Sequence, residues 1–337
     1  MTVLEVIQRS AEFLGKKGVE SPRLQVELLL AHVLKLPRMG LYLNFERALT
    51  EPELGAVREL VRRRAQREPL QHITGSTSFC GLELAVSGKV LTPRPETEML
   101  AEMGWTFLNE RGKKLDDARP FHEAAAVWQK SATSPQPSPP EAEREKITAP
   151  GIVPRDSSIP AAKGKGSSPA PLRALDFGTG SGCLAIALAV KCPEAKIVAI
   201  DVCPEALAVA RQNAERHKAT IEFCGGDGFA AIPAETRFDL IMGNPPYIPS
   251  AEIAELEPEV REHDPRLALD GGVDGLDFYR RLAREAGAFL TPDGRMMLEF
   301  GDGQDAALRK IFEEEKWVVE AVRNDYSGRA RIVVVGR

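Results

Sequence analysis

Cysteine is scarce in this 337-residue chain. Its five cysteines (Cys80, Cys183, Cys192, Cys203, Cys224) are scattered, with no Cys-x-x-Cys pair. A disulfide framework and a structural zinc site are therefore not expected, and no metal is assigned to any site. Uninterrupted apolar runs of about 18 residues are missing, which excludes a membrane-spanning helix. The opening MTVLEVIQRSAEFLG lacks the basic-then-apolar order of a secretory signal, so a reduced, cytoplasmic protein is expected. An excess of basic charge is missing too: 44 Lys+Arg stand against 49 Asp+Glu, a net charge of −5. That balance argues against a protein held on nucleic acid chiefly by phosphate neutralisation.

Proline, by contrast, is concentrated. Nine of the 25 (Pro120, Pro135, Pro137, Pro139, Pro140, Pro150, Pro154, Pro160, Pro169) fall in residues 112–170, among Gly, Ser and Lys runs. Such a composition buries too little apolar surface to offset ordering entropy, so 112–170 reads as a disordered insert. Setting that 59-residue segment aside leaves 278 residues, enough for two modest domains. Residues 1–75 read as a helical domain. LQVELLLAHVLKL carries Leu24, Leu28, Leu29, Val33, Leu34 and Leu36 at nearly helical spacing. Ser21-Pro22 and Thr50-Glu51-Pro52-Glu53 read as helix starts. The cluster Arg62, Arg63, Arg64 and Arg67 reads as a solvated helix face whose stems cover apolar surface, or alternatively as a binding patch. Residues 76–93 alternate, with Gly81 and Gly88 as turn residues, and predict a β-hairpin; a connecting helix follows, to 111.

From residue 171 onward strands and helices alternate. LRALDF, KIVAID, TIEFCGGD, RFDLIMG and GRMMLEFG read as strands, with helices between all but TIEFCGGD and RFDLIMG, and WVVEAVRND with RARIVVVGR as a closing antiparallel pair. Repeated strand–helix units imply a mostly parallel sheet with right-handed crossovers. The expectation for 171–337 is an α/β catalytic domain: a Rossmann-like, seven-stranded sheet with an antiparallel edge, as in class I methyltransferases.

Asp176-Phe177-Gly178-Thr179-Gly180-Ser181-Gly182 follows the first of these strands and opens a helix. Glycines let the backbone approach a ligand. The spacing is G-x-G-x-G, not the G-x-G-x-x-G of dinucleotide sites, although nicotinamide binding stays open on these residues alone. Asp176 ends its strand where its charge could meet a cationic or hydrogen-bond-donating group. Asp201 ends the second strand, where a carboxylate can accept both ribose hydroxyl protons. Asp227 ends the third, the place where this fold commonly receives an adenine amino group.

Asn244-Pro245-Pro246-Tyr247 follows the fourth strand, at the sheet edge where ligands collect. An amide or exocyclic amine nitrogen is a poor nucleophile because its lone pair is delocalised. The Asn244 side-chain oxygen and the Pro245 carbonyl can each accept one N–H from such a group and aim its lone pair at a sulfonium methyl. The prolines hold Asn244 extended and preorganise both acceptors. Tyr247 offers a flat surface to a planar amide or base.

With REPLQHITG (67–75), FCGLELAVSGKVLTPRPETE (79–98), DFGTGSG, AIDV, GNPPYIPSAEI (243–253) and NDYSGRARIV (324–333), the chain resembles the PrmC/HemK family. These enzymes methylate the glutamine of the Gly-Gly-Gln motif in peptide chain release factors, supporting translation termination. The resemblance implies that residues Gly178 to Gly182 and Asp201 bind S-adenosylmethionine and that Asn244 meets both cofactor and substrate. It further implies that Pro245, Pro246 and Tyr247 form the glutamine pocket, and that the helical domain helps recognise the release factor. An aromatic residue is usual in the family after the third-strand acid. Here Gly228 and Phe229 follow Asp227, and both are expected at the cofactor, with adenine stacking either weaker than in the family or supplied by Phe229. PRPETE (93–98) is expected to buttress the cofactor loop, with direct ligand contact by Arg94 or Thr97 as the alternative. Partners are thus release factors, without nucleic acid or membrane, and a monomer is expected. Methylation of a ribosomal-protein glutamine, or of adenine in a nucleic acid, remains as an alternative activity. A binding module that kept the fold and lost turnover is a further one.

Overall fold

The computed structural model describes residues 1–117 and 170–337, so the expected disordered segment lies, from 118 to 169, outside the described residues. Five helices come first: α1 (Val3–Lys16), α2 (Pro22–Leu34), α3 (Arg38–Tyr42), α4 (Glu51–Ala65) and α5 (Leu70–Thr74). They close around Val6, Ile7, Leu14, Leu29, Leu30 and Val57. Reciprocal capping boxes start α1 and α4; in the second, the Thr50 amide donates to Glu53 Oε2 at 2.8 Å, satisfying a backbone donor that the helix itself leaves open. Pro22 takes the first position of α2, as predicted. Ser21, however, is left-handed (φ 45°) and its hydroxyl caps nothing, because side-chain capping requires extended backbone there. The stripe that α2 buries is Val26, Leu29 and Leu30, whereas Leu24 is exposed.

The arginine cluster divides. Arg62 pairs with Glu59 and Arg63 with Glu68 on the helix surface. Arg64 is buried, donating to Glu259 at 2.7 Å and Gln25 at 2.9 Å, and Arg67 reaches Glu257 and Glu259. Half of the cluster therefore ties the helices to residues 257–259. That contact depends on residues about 190 positions away in sequence, which helical spacing cannot reveal.

A hairpin, β1 (Ser76–Phe79) and β2 (Leu82–Ala85), pairs antiparallel and leads to α6 (Pro95–Asp117). This helix runs six residues past its expected end at 111. The sheet follows: β3 (Arg173–Phe177), α7 (Cys183–Lys191), β4 (Lys196–Asp201), α8 (Pro204–Arg216), β5 (Ile221–Gly225) and β6 (Phe238–Gly243). Then come α9 (Pro258–Arg261), α10 (Asp277–Glu285), β7 (Leu290–Glu299), α11 (Asp305–Glu314), β8 (Val318–Asn324) and β9 (Ala330–Gly336). Met1–Asn109 and Pro171–Arg337 belong to one compact unit.

Strand order is β5-β4-β3-β6-β7-β9-β8, with β9 antiparallel to both neighbours and β3 to β7 mutually parallel. Central strands read as nearly continuous apolar runs because both faces are covered. Leu100, Leu108, Ile186 and Leu188 pack on one face, and Phe238, Tyr279, Phe312 and Trp317 on the other. The chain moves outward from β3 to β5 and returns to β6 on the other side of β3. A crevice must open at the carboxyl ends of β3 and β6. Phe177 pairs in register with Gly243, so the glycine loop and the Asn-Pro-Pro-Tyr segment leave the sheet side by side.

Candidate active site

A cavity of about 180 Å³ occupies this crevice. Residues 176–181 form one wall, and Asp201, Asp227 and Gly228 extend it along the strand ends. Asn244, Pro245 and Pro246 stand opposite. Arg94 and Thr97, from the Pro-Arg-Pro-Glu-Thr-Glu segment, line it as well, as do Pro265, Leu267 and Ala268. Pro93, Arg94 and Thr97 of PRPETE thus face the cavity directly.

The glycine wall is open where a ligand would need it. Gly178 (φ 71°) and Gly180 (φ 55°) are left-handed, and a Cβ on either would meet nothing within 4 Å. Asp201 holds the loop in that shape: Oδ2 accepts the Gly180 amide and Oδ1 the Cys203 amide, both at 2.9 Å. Asp176 is buried. Its Oδ2 accepts from Thr179 Oγ1 at 2.6 Å and from the Ala185 amide in the first turn of α7 at 3.1 Å, while Oδ1 has no partner. Burial raises this carboxyl to about 6 against the lowering effect of those two donors. A buried acceptor left open beside a glycine loop fits a hydrogen-bond-donating or cationic ligand group.

Gly182 lies off the cavity wall. It begins α7 and packs on α8, where a Cβ would come 3.1 Å from Ala210 Cβ. The third acid is also placed differently from expectation. β5 ends at Gly225, and Asp227 sits in the following turn, mostly exposed, paired with Arg281. Gly228 is left-handed (φ 61°), and a Cβ there would lie 2.6 Å from Arg281 Nη2. The guanidinium therefore fills the space a side chain at 228 would take. Phe229 corrects the expected stacking surface. It is buried against Phe289 (ring centroids 4.6 Å apart) and Phe177 (5.4 Å), away from the cavity wall. The short 3-10 turn Gly228–Ala231 directs it into the core.

Asn244 is the first residue beyond β6. Its Nδ2 donates to Thr97 Oγ1 at 3.3 Å, and its Oδ1 is buried without a partner. Tyr247 is half-buried on the core side and is not on the cavity wall. Its carbonyl accepts from Gln304 at 2.9 Å, and burial pushes its hydroxyl up to about 12. The segment turns between Pro246 and Tyr247, so its third and fourth residues face different surroundings.

Two acids escaped the sequence reading. Glu299 ends β7, is buried, and accepts the Thr97 hydroxyl at 2.7 Å. Desolvation raises it to about 7, with Glu96 adding to the rise and the Thr97 and Asn244 donors and Arg331 opposing it. Position alone could have found it, since it stands at a strand's carboxyl end as Asp176 and Asp201 do. Asp264 is buried beneath Arg94, which it meets at 2.8 Å; burial raises it to about 6. Nothing in the sequence pairs these two. The NDYSGRARIV segment forms the turn between β8 and β9, where Asp325 accepts from Ser327, Arg329 and Arg331.

Known proteins resemble this chain over nearly its whole length. Residues 5–75 match the PrmC N-terminal domain and residues 167–257 the methyltransferase small domain. The release factor glutamine methyltransferase of Geobacter sulfurreducens is 38% identical over 332 residues, covering 98% of this chain and 95% of its own. Those of Chlorobaculum tepidum (36% identical, 92% and 89% covered) and Deinococcus radiodurans (32%, 99% and 98%) are similar throughout.

Proposed function

The chain belongs to the release factor glutamine methyltransferase family, and we propose that its crevice holds S-adenosylmethionine against the glycine loop while Asn244 and Pro245 hold the acceptor amide. It has the class I methyltransferase fold and is a protein-glutamine N-methyltransferase acting on a release factor. The acceptor in this reading is the glutamine of the Gly-Gly-Gln motif. The buried Asn244 oxygen without a partner carries it, because a buried acceptor left open is costly unless a ligand donor completes it.

Residues 176–181 and Asp201 would hold the cofactor, with Asp227 and Gly228 at the far end. S-adenosylmethionine, when bound, supplies an electrophilic sulfonium methyl. Asn244 Oδ1 and the Pro245 carbonyl each accept one N–H of the glutamine amide, which fixes its plane and stops its rotation. Pro245 restricts Asn244 to extended backbone, so neither acceptor reorganises as the bond forms. Orientation and exclusion of water supply most of the acceleration. No side chain is required as a base, since the methylated nitrogen releases its proton to water. Tyr247 supports this segment from behind, through its ring on the core and its carbonyl on Gln304.

The organisation that supports this reading is a helical domain at 1–75 that meets the release factor, a hairpin and helix after it, and a catalytic domain from 171. The protein acts as a monomer in the cytoplasm, without binding nucleic acid directly; its charge of −5 favours a protein substrate. The test is transfer of labelled methyl from the cofactor to a release factor, to its Gln→Ala variant in the Gly-Gly-Gln loop, and to DNA. Label on the first alone is expected. Label that survives the Gln→Ala change overturns the acceptor.

A further inference from the structure

Asn244 must present one particular end of its amide to the acceptor, yet the two ends are nearly the same shape. Some neighbour has to distinguish them. The Thr97 hydroxyl touches the Asn244 amide at 3.3 Å and the Glu299 carboxylate at 2.7 Å. A hydroxyl has one proton, and Oε2 of Glu299 accepts it. Thr97 therefore spends its proton on Glu299 Oε2 and turns a lone pair toward Asn244. Only the NH2 end of Asn244 can meet that lone pair; the carbonyl end would face it acceptor to acceptor. The oxygen is left on the other side, without a protein partner.

We infer that Thr97 and Glu299 are positioning residues that lock the Asn244 amide with its oxygen toward the glutamine N–H. The inference rests on the acceptor role of Asn244 given above. Both residues are well placed for it. Thr97 is 2% and Glu299 2% exposed, so water does not compete for either. Glu299 ends β7, whose Leu298 pairs in register with Gly243, the residue before Asn244. Its main chain is anchored too, since the Tyr279 hydroxyl donates to the Glu299 carbonyl at 2.7 Å. The three side chains come from α6, β7 and the loop after β6, so the lock exists only once hairpin helix and sheet have packed.

Three full-length variants test this, with turnover, KM for the release factor and Kd for S-adenosylmethionine measured on each. Thr97→Val keeps the shape and removes the hydroxyl. Glu299→Gln adds a donor that satisfies either orientation of Asn244. Both are expected to lower kcat at least about tenfold, the scale of one misdirected hydrogen bond, with KM and Kd changed by less than about threefold. Thr97→Ser, which restores the hydroxyl, recovers most of the lost kcat. Wild-type kcat in Thr97→Val or in Glu299→Gln overturns the inference, and so does a Thr97→Ser as slow as Thr97→Val, which would make shape the requirement. Should Thr97→Val fail to fold, Glu299→Gln decides alone. A wild-type enzyme that does not label the release factor instead overturns the function, a distinguishable failure.

Discussion

Arg94 and Asp264, 170 residues apart, form an ion pair at 2.8 Å that ties the loop before α6 to the loop carrying Pro265, Leu267 and Ala268. Both loops wall the cavity, so this contact closes one side of the site. His72 from α5 stands nearby, with Nε2 3.8 Å from Asp264 Oδ1 and 3.2 Å from Thr92 Oγ1. Burial lowers its pKa. The helical domain thereby reaches the same junction.

Arg94→Ala leaves Asp264 buried without its cation. The expected cost is about 1–2 kcal/mol, less than for a fully buried pair because Arg94 is partly exposed. The sign with pH follows from the raised Asp264 pKa of about 6. Below it the carboxyl is neutral and needs no partner; above it the charge must be compensated. The cost should therefore be largest at about pH 8 and fade toward about pH 5. Urea midpoints of both proteins at the two pH values check this, and an equal loss at both would contradict it.

Gly228→Ala meets two obstacles, a left-handed backbone and the Arg281 guanidinium 2.6 Å from the new Cβ. The backbone alone costs about 1–2 kcal/mol. Adding Arg281→Ala should recover the steric part and leave the backbone part. Non-additivity in a double-mutant cycle is the expected result. Strict additivity would mean that Arg281 simply moves aside.

Asp201→Ala removes the acceptor for the Gly180 and Cys203 amides and the proposed ribose ligand together. Affinity for S-adenosylmethionine should fall at least tenfold, roughly 1.4 kcal/mol, with Asp201→Asn intermediate because it keeps one acceptor oxygen. Calorimetric titration measures both. An unchanged Kd in Asp201→Ala would remove Asp201 from the cofactor site.

Glu299 is held well above the ordinary carboxyl range, at about 7. Glu96, Arg331, Tyr247, Tyr279 and Cys183 are titratable groups that face it. Its neutral form is the one burial favours, so its contribution is fully present below the unfolded pKa and is lost as pH rises through about 7. Glu299→Gln has no charge to bury. Its stability relative to wild type should therefore rise between about pH 5 and about pH 8, by at most about 3 kcal/mol. A stability difference independent of pH would place the titration elsewhere.

How much of this was legible beforehand depends on the range of the interaction that decides it. Asp176, Asp201 and the Asn-Pro-Pro-Tyr segment could be placed from local pattern, because an apolar run ending in a polar residue marks the strand end where ligands gather. The capping box at Thr50 and the hairpin at 76–85 are local in the same sense. The ring of Phe229 turns to the core because of the short turn Gly228–Ala231, a choice between core and cavity that no periodicity encodes. The periodicity from Leu24 found α2 but only part of the stripe it buries, Leu29, since packing against α1 and α4 selects Val26 and Leu30 as well and leaves Leu24 exposed.

Cysteine scarcity, balanced charge and the absence of long apolar runs, with which the chain introduced itself, narrow the class of protein, and its motifs name the chemistry. They do so because glycine, proline and strand-end acids act through their own backbone. Folding decides the pairings: Arg94 with Asp264, Arg281 beside Gly228, Glu299 through Thr97 to Asn244. Each joins residues separated by dozens to hundreds of positions, and each is a balance of desolvation against one specific partner. Such a balance has no sign until packing has brought the partner within hydrogen-bond distance.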